Sequence, residues 1–114
     1  MNAKFYVPFE TAEMLKKAGY PQSGSDMYYD LSGNLTPDNG FLPIDDNVCP
    51  AAPAYCEVMD WLIGKKIYID IDCTAKGKWY CYMWEGNSAI DATGQYFTRE
   101  QAINAAIIKA LEEL

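Results

Sequence analysis

A chain of 114 residues, half of them apolar, is long enough to fold as one ordinary domain. It buries about two-thirds of its unfolded surface and needs no disulfide or metal to persist. Nine Lys and Arg against 16 Asp and Glu give a net charge of -7. Residues 1–52 hold three cations and seven anions, and residues 53–114 hold six and nine. Neither half is a basic arm, and this balance argues against binding phosphates or anionic lipid, whose attraction requires clustered Lys and Arg.

Taken in chain order, the lead "KFYVPF" is followed by "ETAEMLKKAGYP", where Phe9, Ala12 and Leu15 fall at near-helical spacing. Gly19 and Pro21 mark the end of a short helix there. Residues 22–52 are rich in Gly, Ser, Pro, Asn and Asp; within them Met27 to Leu31, turning at Ser32, Gly33 and Asn34, predicts a β-hairpin. The remainder, "NGFLPIDDNVCPAAP", reads as an irregular connection whose Phe41, Leu42, Ile44 and Val48 are expected to pack against the body.

From residue 53 the periodicities sharpen. Tyr55, Val58, Met59 and Leu62 follow i, i+3, i+4, i+7, with Pro53 suited to the first turn of a helix and Gly64 to its end. "IYIDIDC" then alternates strictly, Ile67, Ile69, Ile71 and Cys73 on one face, Tyr68, Asp70 and Asp72 on the other. After the turn "TAKGK", both alternating sets of "WYCYMWE" are apolar or amphipathic. Burying Trp79, Cys81 and Met83 keeps the hydroxyls of Tyr80 and Tyr82 in water. A third strand is expected within "AIDATGQYF", with Gly94 at a turn or bulge. The closing helix starts at Thr98, where Gln101 completes a capping box, and Ile103, Ala106, Ile107, Ala110 and Leu114 form its stripe. The expected fold is a single α+β domain over residues 1–114: a three-stranded antiparallel sheet packed by two helices on one face (α-β-β-β-α, residues 53–114), preceded by a short helix and a β-hairpin (residues 1–52).

The residue inventory restricts the chemistry. With no His, Ser-His and Cys-His catalysis are excluded. The four cysteines are separated by six, sixteen and seven residues, matching no zinc spacing, and read as buried thiols. Cys56, in a first helical turn, has Glu57 beside it to oppose a thiolate. "DLSGN" and "PDNG" do not continue into a calcium loop, and "SGSD" does not continue into a phosphate loop. Asp70 and Asp72, about 7 Å apart on one strand face, would hold a divalent ion only if a third ligand approached. No metal, cofactor or catalytic residue is therefore assigned. No segment approaches 18 apolar residues and the N-terminus lacks a cleavage-type signal, so the expected location is soluble, cytoplasmic and reducing.

Two resemblances follow from these stretches. The order of elements from 53 to 114, closing on "TREQAINAAIIKAL", is similar to that of double-stranded-RNA-binding domains. That family opens its last helix with a Lys pair and a further Lys, where this chain has Arg99, Glu100 and Ile103, so the likeness implies shared packing without RNA binding. "FETAEMLKKAGYP", "APAYCEVMDWL" and "TREQAINAAIIKAL" together resemble a group of small uncharacterised proteins from prophages and other mobile elements of gut bacteria. That resemblance implies a genomic setting and no reaction. In that group the position of Ala54 tends to be a hydroxyl residue that caps the following helix.

The strand pattern leaves Tyr68, Asp70, Asp72, Tyr80, Tyr82 and Trp84 together on the sheet face away from the helices. Four large aromatics form an apolar patch of roughly a few hundred Å², and such patches mark contacts, whether with the N-terminal hairpin and the "FLPIDDNV" connection of the same chain, with a second copy or with a foreign partner. The expected function is a non-enzymatic protein-interaction module that meets a protein partner or a second copy of itself through this face. Its two competitors are an acidic nucleic-acid mimic, which requires anions spaced along one elongated face, and a metal-dependent hydrolase, which requires a third carboxylate near Asp70 and Asp72.

Overall fold

The computed structural model describes residues 2–38 and 49–114; the stretch carrying Phe41, Leu42, Ile44 and Val48 lies outside the described residues. The described residues form three α-helices and two antiparallel sheets, of two and three strands, an α+β fold. They divide into two compact units, Met1–Ala54 and Tyr55–Leu114.

In the first unit a 3-10 turn, Ala3–Phe5, precedes helix α1, Phe9–Lys17, which buries Thr11, Ala12 and Leu15. The helix stops as its sequence requires. The Gly19 N–H donates to the Lys16 carbonyl at 3.2 Å and the Tyr20 N–H to the Leu15 carbonyl at 2.9 Å. This paired closure needs a left-handed residue, and Gly19 supplies it with φ +96. Strand β1, Met27–Tyr29, pairs with β2, Leu35–Pro37, Tyr28 lying opposite Thr36. The strand is shorter than the Met27 to Leu31 expected from sequence, because the Asp30 carboxylate takes the Ser32 and Asn34 N–H groups, each at 2.9 Å, and starts the turn early. Leu31, in that turn, is exposed.

All three residues of β1 are buried, for a reason that lies far away in the chain. The second edge of β1 is occupied by residues 50–52: the Tyr29 N–H donates to the Pro50 carbonyl and the Ala52 N–H to the Met27 carbonyl, both at 3.0 Å. The Val7 N–H likewise donates to the Pro53 carbonyl at 3.0 Å. The two buried tyrosines satisfy their hydroxyls on main-chain carbonyls, Tyr28 on Gln22 and Tyr29 on Val7, each at 2.6 Å.

The second unit starts with α2, Tyr55–Gly64, two residues after Pro53, which lies outside the helix, and buries Tyr55, Val58 and Leu62, with Met59 half-buried. Strands β3, Ile67–Cys73, β4, Trp79–Glu85, and β5, Ser88–Ala92, form a sheet in that order. Residues of α2 approach β3, and those of α3, Arg99–Leu111, approach both β3 and β4. The capping box at Thr98 is complete: the Gln101 N–H reaches the Thr98 hydroxyl and the Thr98 N–H reaches the Gln101 side chain, both at 3.1 Å. The helix buries Ala102, Ile103, Ala106, Ile107, Ala110 and Leu111. Leu114, placed in this stripe from sequence, is exposed because the helix ends at Leu111, and Leu111 takes its place.

One other expectation is corrected. Cys49 and Cys81 are buried, but Cys56 and Cys73 are exposed. Cys56 lies on α2 outside the stripe of Tyr55, Val58 and Leu62, and Cys73 is the last residue of β3, beside the 74–78 turn. One irregularity in β5 is at Ile90, which is left over between the pairs Trp84 with Ala89 and Met83 with Asp91; a second follows in the stretch that holds Gly94, where residues 93–95 face only Tyr80 and Cys81 between the pairs Tyr82 with Ala92 and Trp79 with Tyr96. Beyond β5 the edge of β4 stays satisfied, since the Cys81 N–H donates to the Thr93 hydroxyl at 2.9 Å and Trp79 exchanges two 2.8 Å bonds with Tyr96.

Candidate functional site

Alternation along two neighbouring antiparallel strands assembles the site. Because side chains repeat every second residue, Tyr68, Asp70 and Asp72 of β3 share a face with Tyr80, Tyr82 and Trp84 of β4. The register sets them in three rungs, Tyr68 opposite Trp84, Asp70 opposite Tyr82 and Asp72 opposite Tyr80. All six residues singled out from sequence are thus brought together. The residues between them follow the other parity: Cys81 and Met83 are fully buried and Ile67 nearly so. On β3 that burial fades from Ile67 through half-buried Ile69 and Ile71 to exposed Cys73.

Exposure differs from rung to rung. Tyr68 is 39% and Tyr82 44% exposed, Asp70 and Asp72 are exposed, and Tyr80 and Trp84 are half-buried. At the rung beside the 74–78 turn the polar groups satisfy one another. The Tyr80 hydroxyl donates to the Asp72 carboxylate at 3.1 Å, and the other oxygen of Asp72 accepts from the Cys73 N–H at 2.8 Å. The Tyr80 ring meets the Tyr82 ring edge-on, centroids 5.3 Å apart. The Asp72 carboxylate, which favours the protonated phenol, pushes Tyr80 up to about 12, with the Tyr82 hydroxyl adding to the effect.

At the opposite end of the face the polar groups do not satisfy one another. Tyr68, Asp70 and Trp84, with Gly86 and Asn87 from the β4–β5 turn, line a hollow of about 490 Å³. The Trp84 indole N–H is buried and has no hydrogen-bond partner among the described residues, a condition that costs about 1–3 kcal/mol for a neutral group. The Asp70 carboxylate likewise has no hydrogen bond or ion pair among the described residues. Gly86 and Asn87 are site residues that sequence reasoning missed. Their signal was present: a two-residue Gly-Asn loop with positive φ at the glycine (+60) is a tight hairpin turn.

The third strand keeps this end uncrowded. Ala89 faces Trp84 and Ala92 faces Tyr82 across the β4–β5 pairing, so the aromatic pair is flanked by methyl groups. The extra residue Ile90 shifts Asp91 to the parity of Met83, where its carboxylate meets the Lys109 ammonium of α3 at 3.2 Å. The Ala92 N–H and that lysine together hold Asp91 below the usual carboxylate range.

Among the described residues no group of three or more His, Cys, Asp or Glu side chains converges, and both oxygens of Asp72 are already engaged. Burial raises the Cys81 thiol to about 11, which disfavours a thiolate there. On α3, Ile103 is buried and Glu100 lies in the first turn beside Arg99, so the positions compared with the RNA-binding family hold one cation, one anion and one core residue. Among the described residues no helix is long and apolar enough to cross a membrane. Comparison of the chain with protein-family models, with curated proteins and with solved structures finds no match.

Proposed function

We propose that the protein is a non-enzymatic interaction module, of the phage or mobile-element setting that its sequence resemblance implies, which contacts a protein partner through the open face of its three-stranded sheet. In this reading α2 and α3 cover the other face, and the full burial of Cys81 and Met83 between exposed or half-buried neighbours supports that division. The observation that carries the function is the hollow beside Trp84, where the aromatic side chains of Tyr68 and Trp84 and the unpaired carboxylate of Asp70 lie together. Aromatic area left open beside an unpaired carboxylate adds little to the fold, whereas a contact surface uses both when the partner arrives.

The test is a double substitution of the two most exposed aromatics, Tyr68→Ser with Tyr82→Ser, followed by thermal melting, light scattering and partner capture on both proteins. The expected outcome is a folded variant that has lost a captured partner seen with the parent chain. A variant unchanged in melting, mass and captured proteins leaves the face without a role and overturns the reading.

A further inference from the structure

The proposed interaction reading leaves the partner's chemistry open, and the hollow narrows it. We infer that the hollow receives the cationic end of a Lys or Arg side chain from an extended, basic segment of a protein partner. This inference rests on the interaction reading and names the chemistry of its occupant.

Charge supplies the first argument. Strands β3, β4 and β5 contain no Lys or Arg and four acids, Asp70, Asp72, Glu85 and Asp91. Asp91 is neutralised by Lys109, and Asp72 is held by the Tyr80 hydroxyl and the Cys73 N–H. Asp70, the acid that lines the hollow, has neither kind of partner among the described residues. A carboxylate so placed is complementary to an incoming cation. The aromatic walls supply the second argument. Tyr68 and Trp84 lie on opposite strands of one rung, and a Lys or Arg head group gains from contact with such ring faces. An extended peptide lying along the exposed face can bring such a cation to this rung.

The same features disfavour other occupants. A second copy using this face would set Asp70 and Asp72 against the same carboxylates, a like-charge contact that costs stability. Nucleic acid meets an uncompensated acidic strand pair and is repelled.

The experiment uses the full chain labelled with 15N and titrated with tetralysine, the Trp84 indole resonance being assigned by its loss in Trp84→Phe. Tetralysine is expected to move this resonance saturably, while tetraglycine and tetraglutamate leave it in place. Asp70→Asn is expected to weaken tetralysine binding about fivefold, the scale of one lost charge contact. Glu13→Gln, an equal charge change at an exposed residue of α1, is expected to change it less than about twofold. Equal weakening by the two variants would mean attraction to net charge alone and overturns the inference, as does a Trp84 resonance that tetralysine fails to move. Movement of that resonance on dilution without peptide would make a second copy the occupant and also overturns it. Loss of partner capture in the Tyr68→Ser, Tyr82→Ser protein together with a silent tetralysine titration would sink the cation assignment alone. An unchanged capture would sink the interaction reading beneath it.

Discussion

Two adjacent residues of β4 provide the sharpest test of which sheet face is core. Met83 is fully buried and Tyr82 is 44% exposed, although they are neighbours in sequence and equally apolar in pattern. Replacing Met83 with Lys removes about 1.5–3 kcal/mol of side-chain burial and leaves an ammonium without a partner in the interior, at a cost of several kcal/mol more. Against a total stability of about 5–15 kcal/mol, that is enough to unfold most of the second unit. Replacing Tyr82 with Lys loses the edge-on contact with Tyr80, about 0.5–1.5 kcal/mol. It sets a cation opposite Asp70, which returns about 0.2–1 kcal/mol. The net change at Tyr82 is therefore about 1 kcal/mol or less. Urea unfolding followed by tryptophan fluorescence reads this directly, because Trp61, Trp79 and Trp84 all lie in the second unit and none lies in the first. A Tyr82→Lys protein as unstable as Met83→Lys would refute the assignment of faces, and so would a Met83→Lys protein that unfolds at the parental urea concentration.

Two further outcomes follow from local geometry. Lys66 is the single non-glycine at positive φ among the described residues, +65, between α2 and β3, so Lys66→Gly is expected to raise the unfolding free energy by about 1 kcal/mol; a lower urea midpoint would show that the lysine side chain is worth more than the strain it causes. Tyr80 is raised from its ordinary 10.0 to about 12 by Asp72, so its contribution to stability is fully present below about 10 and is lost as pH rises through about 12. The ultraviolet difference titration between the parent and Tyr80→Phe should show this late ionisation, and Asp72→Asn should bring it to lower pH; an unmoved midpoint in Asp72→Asn would remove the carboxylate as its cause.

Features with a local physical cause were legible in the sequence. Thr98 and Gln101 announce a helix start because both partners of the capping box are three residues apart, and Gly19 announces a stop because a left-handed residue is required there. The alternation of "IYIDIDC" gave the composition of the candidate site, since parity alone decides which side chains share a face. Other features depend on distant parts of the chain. No pattern near Met27 reveals that residues 50–52 will pair with its strand, so three consecutive buried residues looked like an ordinary hairpin arm. Leu114 continues the helical spacing of Ile103 and Ile107 but falls past the point where the helix ends, and exposed Cys56 and Cys73 show that residue type alone does not fix burial. The hollow itself depends on a turn, Gly86 and Asn87, that only the pairing of β4 with β5 brings beside Tyr68, Asp70 and Trp84.

The surplus residue of β5 bears on how sequences of this kind should be aligned. Ile90 is the residue that the pairing with β4 passes over, so a chain without it would still place Ala89 against Trp84, Asp91 against Met83 and Ala92 against Tyr82. Removal of either neighbour would instead move Ile90 into the ladder, exchanging a methyl group or the partner of Lys109 for a branched aliphatic side chain. A one-residue gap opened at this point in an alignment therefore leaves the geometry of both faces intact. The same gap opened one column to either side describes a different surface, and any comparison of the open face between this chain and another turns on which column receives it.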